Sequence, residues 1–488
     1  MSGWWLLREP RQVVADLVHG LQIPIIGYFL LVNSSYLMLI LLAGSATLRH
    51  MHRIEHGGRK EALGGRLTPG VSVIMPAHNE AATIVPAVQA MLSLRYPRHE
   101  VIVVDDGSTD ATVALLTKAF DLMEVDRAVP DDVPVQAAVR SVAVPRDGRT
   151  RLVVVGKDNS GKADAVNTGI NASAEVLVAI VDADSLLDPD ALLVVSKPFA
   201  DDPVRMVATG GVVRVANGCS VVAARVTDVR MPSSWLGRIQ VVEYLRAFLL
   251  SRSGWSRLGA LILISGAFGV FRRDVLVELG GLQEGSLGED FELVMRLHKR
   301  MREQGRDYRV EFVAEPVCWT EVPTTIGVLH RQRRRWHRGL WETLWAYRAV
   351  LGRPRYGVVG LVALPWYWLF ELLAPVLELA GLVLIGLGVA LGVVNLAFFW
   401  LFMAVAYGYA MLVTLAAMAI EELSFPKYRR WRDLGVALMV CAAENIGYRQ
   451  MTAWWRAEGW WSSLRGRASV WGTMTRQGFG GGEGGPHA

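Results

Sequence analysis

Polar side chains recur in this chain directly after short apolar stretches, where strands of a sheet would end. The first two places are the segment with Pro76, His78 and Glu80, and the turn-like segment with Asp106. In an open α/β sheet, ligands bind outside the carboxyl ends of the strands, so these side chains would meet in one crevice. A carboxylate there can accept hydrogen bonds from a nucleobase imide or from ribose hydroxyls. The same residues also suit a tight turn and a helix cap, and the sequence leaves both interpretations open.

A second group of residues could hold a diphosphate and a metal ion. Asp182 and Asp184 follow an apolar stretch, and residues i and i+2 of an extended segment share a face. Paired carboxylates at a strand end suit a hard divalent ion, whose other ligands can be phosphate oxygens. Such an ion would neutralise charge on a departing nucleotide, and Lys162 would add a positive charge. The alternative is two solvated acids without a ligand.

Two later motifs suit proton transfer and sugar binding. Glu289 and Asp290 open a helix-like run, where an acid could act as general base toward an attacking hydroxyl or simply cap the helix. Further on, Gln332, Arg335 and Trp336 precede a long apolar region. An indole face packs against a sugar ring, and a guanidinium binds diphosphate in a bidentate manner. As a lone basic stretch, this segment would also suit a cytoplasmic membrane flank.

The elements that position these residues are short apolar strands separated by helical stretches. The strands are expected at Val71–Met75, Val101–Val104, Leu152–Val155 and Val176–Val181. Continuous apolar runs with helices between them indicate a mostly parallel sheet that is covered on both faces. We expect this α/β domain to span residues 68–352, with the polar segment around 121–151 forming loop or edge structure.

The composition predicts that part of the chain lies in a lipid bilayer. Of 488 residues, 52% are hydrophobic and only 20% are charged. The net charge of +5 suits a protein beside anionic lipid headgroups and is too weak and scattered to predict nucleic-acid binding. Cys219, Cys318 and Cys441 lie far apart, which predicts neither a disulfide framework nor a zinc site.

Two apolar regions flank the α/β domain. The N-terminal segment 1–67 has an uncharged run at about 21–48, long enough for one retained spanning helix. Residues 353–470 would form further transmembrane or interfacial helices, at least two of them spanning within 357–420, and 471–488 a flexible tail. The segment 434–451 suits spanning, re-entrant or surface placement equally. Basic residues after each apolar region predict a cytoplasmic catalytic domain in a multi-pass protein of the plasma (inner) membrane; they are Arg49, Arg53, Arg59 and Lys60, and the segment Lys427–Arg432.

Polar residues inside the C-terminal apolar region have two interpretations. Glu371, Glu378 and Asn395 would be costly at mid-depth in lipid, where such groups usually face a helix bundle or a wet cavity. They could lie near the interface or bond to neighbouring helices. Alternatively, some would line a path for a hydroxyl-rich chain, with sugar rings stacking on the faces of Trp366, Tyr367 and Trp368.

Taken in order, the motifs resemble those of the processive family-2 membrane glycosyltransferases, which include cellulose, hyaluronan, chitin and poly-N-acetylglucosamine synthases. The family pattern has a strand-end Asp, a D-x-D, an E-D and a Q-x-x-R-W, all of which this sequence contains in that order. The resemblance implies a GT-A fold with a Rossmann-like mixed sheet, joined to an α-helical transmembrane bundle. It further implies Mg²⁺ or Mn²⁺, a UDP-sugar donor such as UDP-glucose or UDP-N-acetylglucosamine, and inverting transfer to a growing β-linked polysaccharide. The lipid bilayer and an accessory export subunit are further expected partners.

The resemblance also implies a role for each matched residue. Asp290, with Glu289 beside it, would be the catalytic base, and Asp182 and Asp184 would bind the metal. The donor would be bound by Pro76, His78, Glu80, Asp106, Lys162, Asp182, Gln332 and Arg335. The acceptor would meet Trp336 and the segment Ser265, Gly266, Ala267 and Phe268.

Two other functions remain open at this level. A single-transfer enzyme acting on a membrane lipid would share the early Asp and the D-x-D, although the Q-x-x-R-W segment resembles the polymer-forming group. A membrane scaffold or transporter with a degenerate transferase domain would be expected to lack one of the metal or base acids, and this sequence retains them all.

Overall fold

The structure is a computed structural model, and it describes residues 10–56, 68–222, 225–424 and 431–465. The predicted flexible tail 471–488 and the basic residues Arg59, Lys60 and Lys427 lie outside these residues. The basic flanks on which the predicted orientation depends are therefore mostly undescribed. That orientation stays a prediction.

A ten-stranded mixed sheet forms the centre of the molecule. The parallel pairs are β1 with β2, β1 with β6, β2 with β5 and β8 with β12, while antiparallel partners complete both sides. The order across the sheet is β3-β4-β5-β2-β1-β6-β11-β8-β12-β7, and β9 pairs with β10 separately. The strands are β1 (Val71–Ala77), β2 (His99–Asp106), β3 (Leu122–Glu124), β4 (Val139–Pro145), β5 (Leu152–Lys157), β6 (Leu177–Val181), β7 (Ser185–Leu187), β8 (Met206–Val215), β9 (Ser220–Val222), β10 (Arg225–Asp228), β11 (Phe268–Arg272) and β12 (Arg309–Thr320).

This sheet confirms the predicted Rossmann-like mixed arrangement. The four predicted strands form β1, β2, β5 and β6, and the polar segment around 121–151 supplies the antiparallel edge strands β3 and β4. Nearly every residue of β1 and β6 is buried, because helices cover both faces of the sheet. The covering helices are α2 (Ile84–Leu92), α3 (Thr112–Phe120), α4 (Lys162–Ala172), α5 (Ala191–Asp201), α6 (Trp235–Leu245), α7 (Ser253–Arg257), α8 (Arg273–Leu279) and α9 (Glu289–Glu303).

Helices before and after the sheet domain pack together. The long α1 (Pro10–His56) contacts both the π-helical segment Arg246–Arg252 and the C-terminal helices. These C-terminal helices are α10 (Ile326–Ala346), α11 (Leu364–Tyr367), α12 (Ala374–Ala390), α13 (Leu396–Met403), α14 (Tyr409–Ser424), α15 (Trp431–Ala443) and α16 (Tyr448–Leu464). Short 3₁₀ or π-helical segments interrupt them at Arg348–Val350, Pro354–Tyr356, Val359–Ala363, Trp368–Leu372 and Ala404–Gly408.

Two helical stretches of the described chain are long and apolar enough to cross a membrane. They are Gln12–Ser45 and Leu396–Ile420, and a third crossing is added if the bent pair Val359–Leu372 and Ala374–Ala390 counts as one span. The segment 434–451 is divided between α15 and α16, and the 13 residues of α15 fall short of the roughly 20 needed to span a bilayer. The larger transmembrane bundle stays a prediction.

Candidate active site

A cavity of about 1750 Å³ opens at the carboxyl ends of β1, β2 and β6 and continues between the C-terminal helices. β1, β6 and β11 are neighbours in the sheet although they are far apart in sequence, so distant segments of the chain meet at this edge. The cavity is lined by all but one of the predicted site residues: Pro76, His78, Glu80, Asp106, Lys162, Asp182, Asp184, Ser265, Gly266, Ala267, Glu289, Asp290, Gln332, Arg335 and Trp336.

The two carboxylates after β6 lie in a group of closely spaced charges. Asp182 Oδ1 lies 2.6 Å from Lys162 Nζ, which is also 3.4 Å from Glu289 Oε1. Burial would lower the pKa of Lys162, but Asp182 and Glu289 outweigh it, so the lysine pKa is raised. Burial and the negative charge of Asp182 raise the pKa of Asp184 to about 7. This part of the cavity therefore favours an added positive charge.

The metal-binding hypothesis can be tested against this donor set. Among the described residues, no group of three or more His, Cys, Asp or Glu side chains could hold a metal by itself. Two carboxylates that face a cavity still fit a hard divalent ion that takes its other ligands from a nucleotide diphosphate. A divalent ion at this position would lower the pKa of Asp184, because a nearby positive charge favours the ionised carboxylate.

The acid pair at the start of α9 lies directly across from these carboxylates. Asp290 Oδ2 accepts a hydrogen bond from Gly266 N at 2.9 Å, and Oδ1 accepts from Phe291 N at 2.8 Å. Burial, followed by the charge of Glu289, raises the pKa of Asp290. A raised pKa brings a carboxylate closer to the value at which a general base works well near neutral pH.

The segments after β1 and β2 are tied together by backbone and side-chain bonds. His78 Nδ1 lies 2.8 Å from Asp106 O, and the Asn79 side-chain oxygen accepts from Thr109 N at 2.8 Å. Asn79 has a positive φ of 57°, which asparagine tolerates better than most residues. The turn interpretation is thus correct for Asn79, whereas the helix that follows has Thr83 and not Asn79 or Glu80 at its N-cap. Pro76 at the end of β1 and His78 after it line the cavity.

Helix α10 closes one side of the cavity with its basic and aromatic residues. It can approach α9 closely because two glycines meet there: a Cβ added at Gly339 would lie only 3.0 Å from Gly288 N. Trp336 is 41% exposed, so its indole is free to meet a ligand, and the Arg333 guanidinium lies 4.8 Å from its ring centre. Gln332 is buried, and its Oε1 accepts no hydrogen bond within the described chain.

Comparison with known proteins assigns this arrangement to a family. The model described as "Glycosyl transferase family 2" matches residues 72–276, and "Glycosyl transferase family group 2" matches residues 177–418. The chain belongs to glycosyltransferase family 2. It is a glycosyltransferase whose acid and basic motifs all fall inside the matched region.

Individual relatives are similar over part of their length. A poly-β-1,6-N-acetyl-D-glucosamine synthase of Staphylococcus epidermidis is 29% identical over 278 residues, which is 56% of this chain and 55% of the relative. The synthase of the same name from Staphylococcus aureus is 26% identical over 317 residues, 65% of this chain and 66% of the relative. The chain thus spans about half to two thirds of these relatives. Among solved structures, a mannosyltransferase from Pyrobaculum calidifontis in complex with GDP-Man and Mn²⁺ aligns at 21% identity and TM-score 0.47, covering 86% of this chain and 99% of that one.

One predicted ligand contact of this glycosyltransferase needs correction, and three residues that the sequence allowed on a path for the product lie away from the cavity. Phe268 is fully buried as the first residue of β11, where it pairs with Val181, and it does not line the cavity. Trp366 is buried and donates to Ser35 Oγ at 2.8 Å, while Trp368 packs edge-on against Trp341. Asn395 caps its own helix α13 through its side chain, a role that neither interpretation had specified. Tyr367, Glu371 and Glu378 do line the cavity.

Sequence reasoning missed a buried cation beneath the site. Lys157 Nζ, fully buried at the end of β5, lies 2.9 Å from Asp106 Oδ1 and 2.6 Å from Asp164 Oδ2. Asp106 also accepts from Ser160 N at 3.0 Å and Gly161 N at 2.8 Å, at the start of α4. Its carboxylate is therefore committed to holding this loop. A lysine that ends an otherwise apolar strand was the available signal.

Proposed function

We propose that this enzyme transfers sugar from a UDP-sugar to a growing β-linked polysaccharide and exports the product across the plasma (inner) membrane. UDP-glucose and UDP-N-acetylglucosamine are the donors that fit, and the name of the staphylococcal relatives favours N-acetylglucosamine. The observation that carries the proposal is that one cavity joins the acidic strand ends to the space between the apolar helices.

The donor would lie along the strand ends. Pro76, His78 and Glu80 would bind the uracil ring of the donor, and Asp106 would hold the loop that leads into α4. Lys162, Gln332 and Arg335 would approach the diphosphate, with the amide nitrogen of Gln332 available as the donor. Asp182 and Asp184 would hold Mg²⁺ or Mn²⁺, which when bound would neutralise negative charge on the departing nucleotide.

The acceptor would enter from the opposite side, between Trp336 and the Ser265–Ala267 segment. Asp290 would accept the proton of the attacking hydroxyl, since it faces the cavity with a raised pKa. A direct attack by that hydroxyl on the face opposite the departing nucleotide inverts the configuration of the sugar carbon. Glu289 would hold Lys162 in place and keep the negative charge around the base high.

Export is supported by the polar lining of the cavity between the helices. Glu371 pairs with Arg456 at 3.2 Å, and Glu378 pairs with Arg449 at 2.9 Å. Tyr367 adds a ring to the same wall. Paired charges and an aromatic face make a surface that suits a hydroxyl-rich neutral chain, and the pairing lowers the cost of keeping acids at membrane depth.

A transfer assay tests the chemistry. Purified protein in detergent would receive each radiolabelled UDP-sugar with Mg²⁺ or Mn²⁺, and the product would be digested with linkage-specific glycosidases. We expect a polymer that grows with time and is cut by a β-specific glycosidase. A single sugar attached to lipid would support the lipid-transfer alternative, and no transfer from any UDP-sugar would refute the proposal.

A vesicle assay tests export and orientation separately. The protein would be reconstituted in sealed vesicles with donor and metal outside, and an external glycosidase would be added after synthesis. Protected polymer is the expected result. If all polymer stays digestible while synthesis is normal, export is refuted and the transferase assignment stands.

A further inference from the structure

Arg252 ends the π-helical segment Arg246–Arg252 and lines the cavity that also contains Asp290. Its guanidinium carbon lies 3.7 Å from the centre of the Phe248 ring, while Tyr244 and Tyr367 line the same region. π-Helical turns interrupt the regular backbone bonding and often occur at functional sites. The segment therefore merits a functional explanation.

Arg252 has no carboxylate within ion-pair distance among the described residues, unlike the arginines around it. Within the described residues it forms no ion pair, and its Nη1 is buried without a hydrogen-bond partner. Other arginines on this part of the wall each face a glutamate: Arg246 with Glu444 at 2.5 Å, Arg333 with Glu243 at 2.5 Å, Arg449 with Glu378 at 2.9 Å and Arg456 with Glu371 at 3.2 Å. Burial lowers the pKa of Arg252 to about 10, against the opposing charges of Tyr367 and Asp290. Burying an N–H donor without an acceptor costs free energy, because the group loses its hydration, and a ligand that supplies an acceptor would offset this cost.

The neighbours of Arg252 indicate what that ligand is. Asp290 lies close enough to act on its charge, and Phe291, the residue after the base, stacks on Tyr367 with ring centres 6.0 Å apart. The guanidinium thus lies against an aromatic ring and within electrostatic range of Asp290, on the side proposed for the acceptor. Aromatic faces with a polar donor between them suit a sugar ring with oxygen substituents.

We propose that Arg252 is a positioning residue that donates hydrogen bonds to oxygen atoms of the terminal acceptor sugar and so aims its hydroxyl at Asp290. This inference rests on the proposed function for the identity of the acceptor. Arg252, which lies outside the recognised motifs, would thereby select acceptors whose terminal sugar carries a hydroxyl or amide oxygen within reach of its guanidinium.

The test compares Arg252→Met, Arg252→Lys and the control Arg257→Met. Arg257 lies on the adjoining α7, is exposed and does not line the cavity. Three quantities would be measured: binding of a soluble β-linked N-acetylglucosamine oligosaccharide by calorimetry, the KM values for oligosaccharide and donor, and hydrolysis of the donor without acceptor. Melting of each variant in detergent would report on folding.

We expect Arg252→Met to weaken oligosaccharide binding and raise the acceptor KM by about 10- to 100-fold, the effect of losing a hydrogen bond from a charged group. Donor KM and donor hydrolysis should stay as in the wild type, Arg252→Lys should recover part of the binding, and Arg257→Met should change nothing. Unchanged acceptor binding in Arg252→Met, or an equal rise in donor KM, would overturn the inference. If the wild type hydrolyses donor but does not bind the oligosaccharide, the inference fails while the donor chemistry stands. If Arg252→Met has a lower melting temperature than the wild type, the conclusion rests on Arg252→Lys. An acceptor KM and oligosaccharide affinity equal to those of the wild type in Arg252→Lys would refute a role for the guanidinium fork.

Discussion

Replacing Asp290 with Asn should remove the base while keeping the shape of the side chain. Both carboxylate oxygens accept backbone hydrogen bonds, Oδ2 from Gly266 at 2.9 Å and Oδ1 from Phe291 at 2.8 Å. Each oxygen has a second lone pair, so these bonds leave it able to take a proton. An asparagine retains one accepting oxygen, but its amide group would point a donor at the other backbone N–H.

The size of the effect follows from these contacts. Loss of a general base typically lowers kcat by about 10²–10⁴. The unpaired backbone donor would add about 1–3 kcal/mol of instability, since a buried donor without an acceptor has lost its hydration. Donor binding should be nearly unchanged, because the proposed function places Asp290 beside the acceptor and not beside the nucleotide. The variant should therefore be a folded, nucleotide-binding protein that is almost inactive.

The measurement needs a control that has the same local geometry. Asp274 at the start of α8 also accepts from the following backbone N–H, at 2.9 Å, but it is exposed and outside the cavity. Transfer rate, nucleotide affinity and melting would be recorded for Asp290→Asn and Asp274→Asn. Full activity in Asp274→Asn with loss in Asp290→Asn is expected. Near-normal turnover by Asp290→Asn would refute the assignment of the base.

Three further predictions concern the metal, the buried cation and the orientation. Asp184→Ala should weaken metal-dependent nucleotide binding, and chelation should stop transfer until Mg²⁺ or Mn²⁺ is restored; activity that survives thorough chelation contradicts this. Lys157→Met should lower the free energy of unfolding by about 3–5 kcal/mol in detergent melts, because two buried carboxylates lose their cation. Lys197→Met, which breaks an exposed i,i+4 pair, is its control, and equal losses would refute the reasoning. A reporter fused at Gly352 should read as cytoplasmic, and a signal from the opposite side would overturn the orientation.

The sheet could be predicted because each parallel strand is a continuous apolar run. An apolar run such as β1 or β6 predicts a strand that is buried on both faces. The acidic residues that follow such a run indicate the edge of the sheet where ligands bind. The antiparallel insertion of β11 between β6 and β8 could not be read this way, because strand order depends on long-range packing. Phe268 was misassigned for that reason, since its place in β11 turns it into the core.

The site was predictable where chemistry requires a side chain and unpredictable where packing selects it. Asp182, Lys162 and Asp290 were identified because acidic and basic motifs follow one another along the chain in the order of the family pattern, although each residue alone also suits a structural role. Lys157 was missed because a lysine after a run of apolar residues is expected to end the strand and face solvent. Its buried ion pair with Asp164 forms only in the folded protein. Arg252 was missed because its distinguishing property is that, within the described part of the chain, its Nη1 is buried without a hydrogen-bond acceptor, which no sequence pattern records.

The acids of the apolar region show how a cost estimated from single residues changes with the fold. An isolated carboxylate at mid-depth costs roughly 2.5–3.5 kcal/mol on insertion scales, which is why Glu371 and Glu378 predict a special environment. Both acids pair with arginines on α16, Glu371 with Arg456 and Glu378 with Arg449. Each pair joins α16 to the chain segment around α12, so the charges that make the cavity polar also hold its wall together. A substitution of either arginine would therefore expose an unpaired acid and loosen the wall at once, and its effect on export would exceed its effect on sugar transfer.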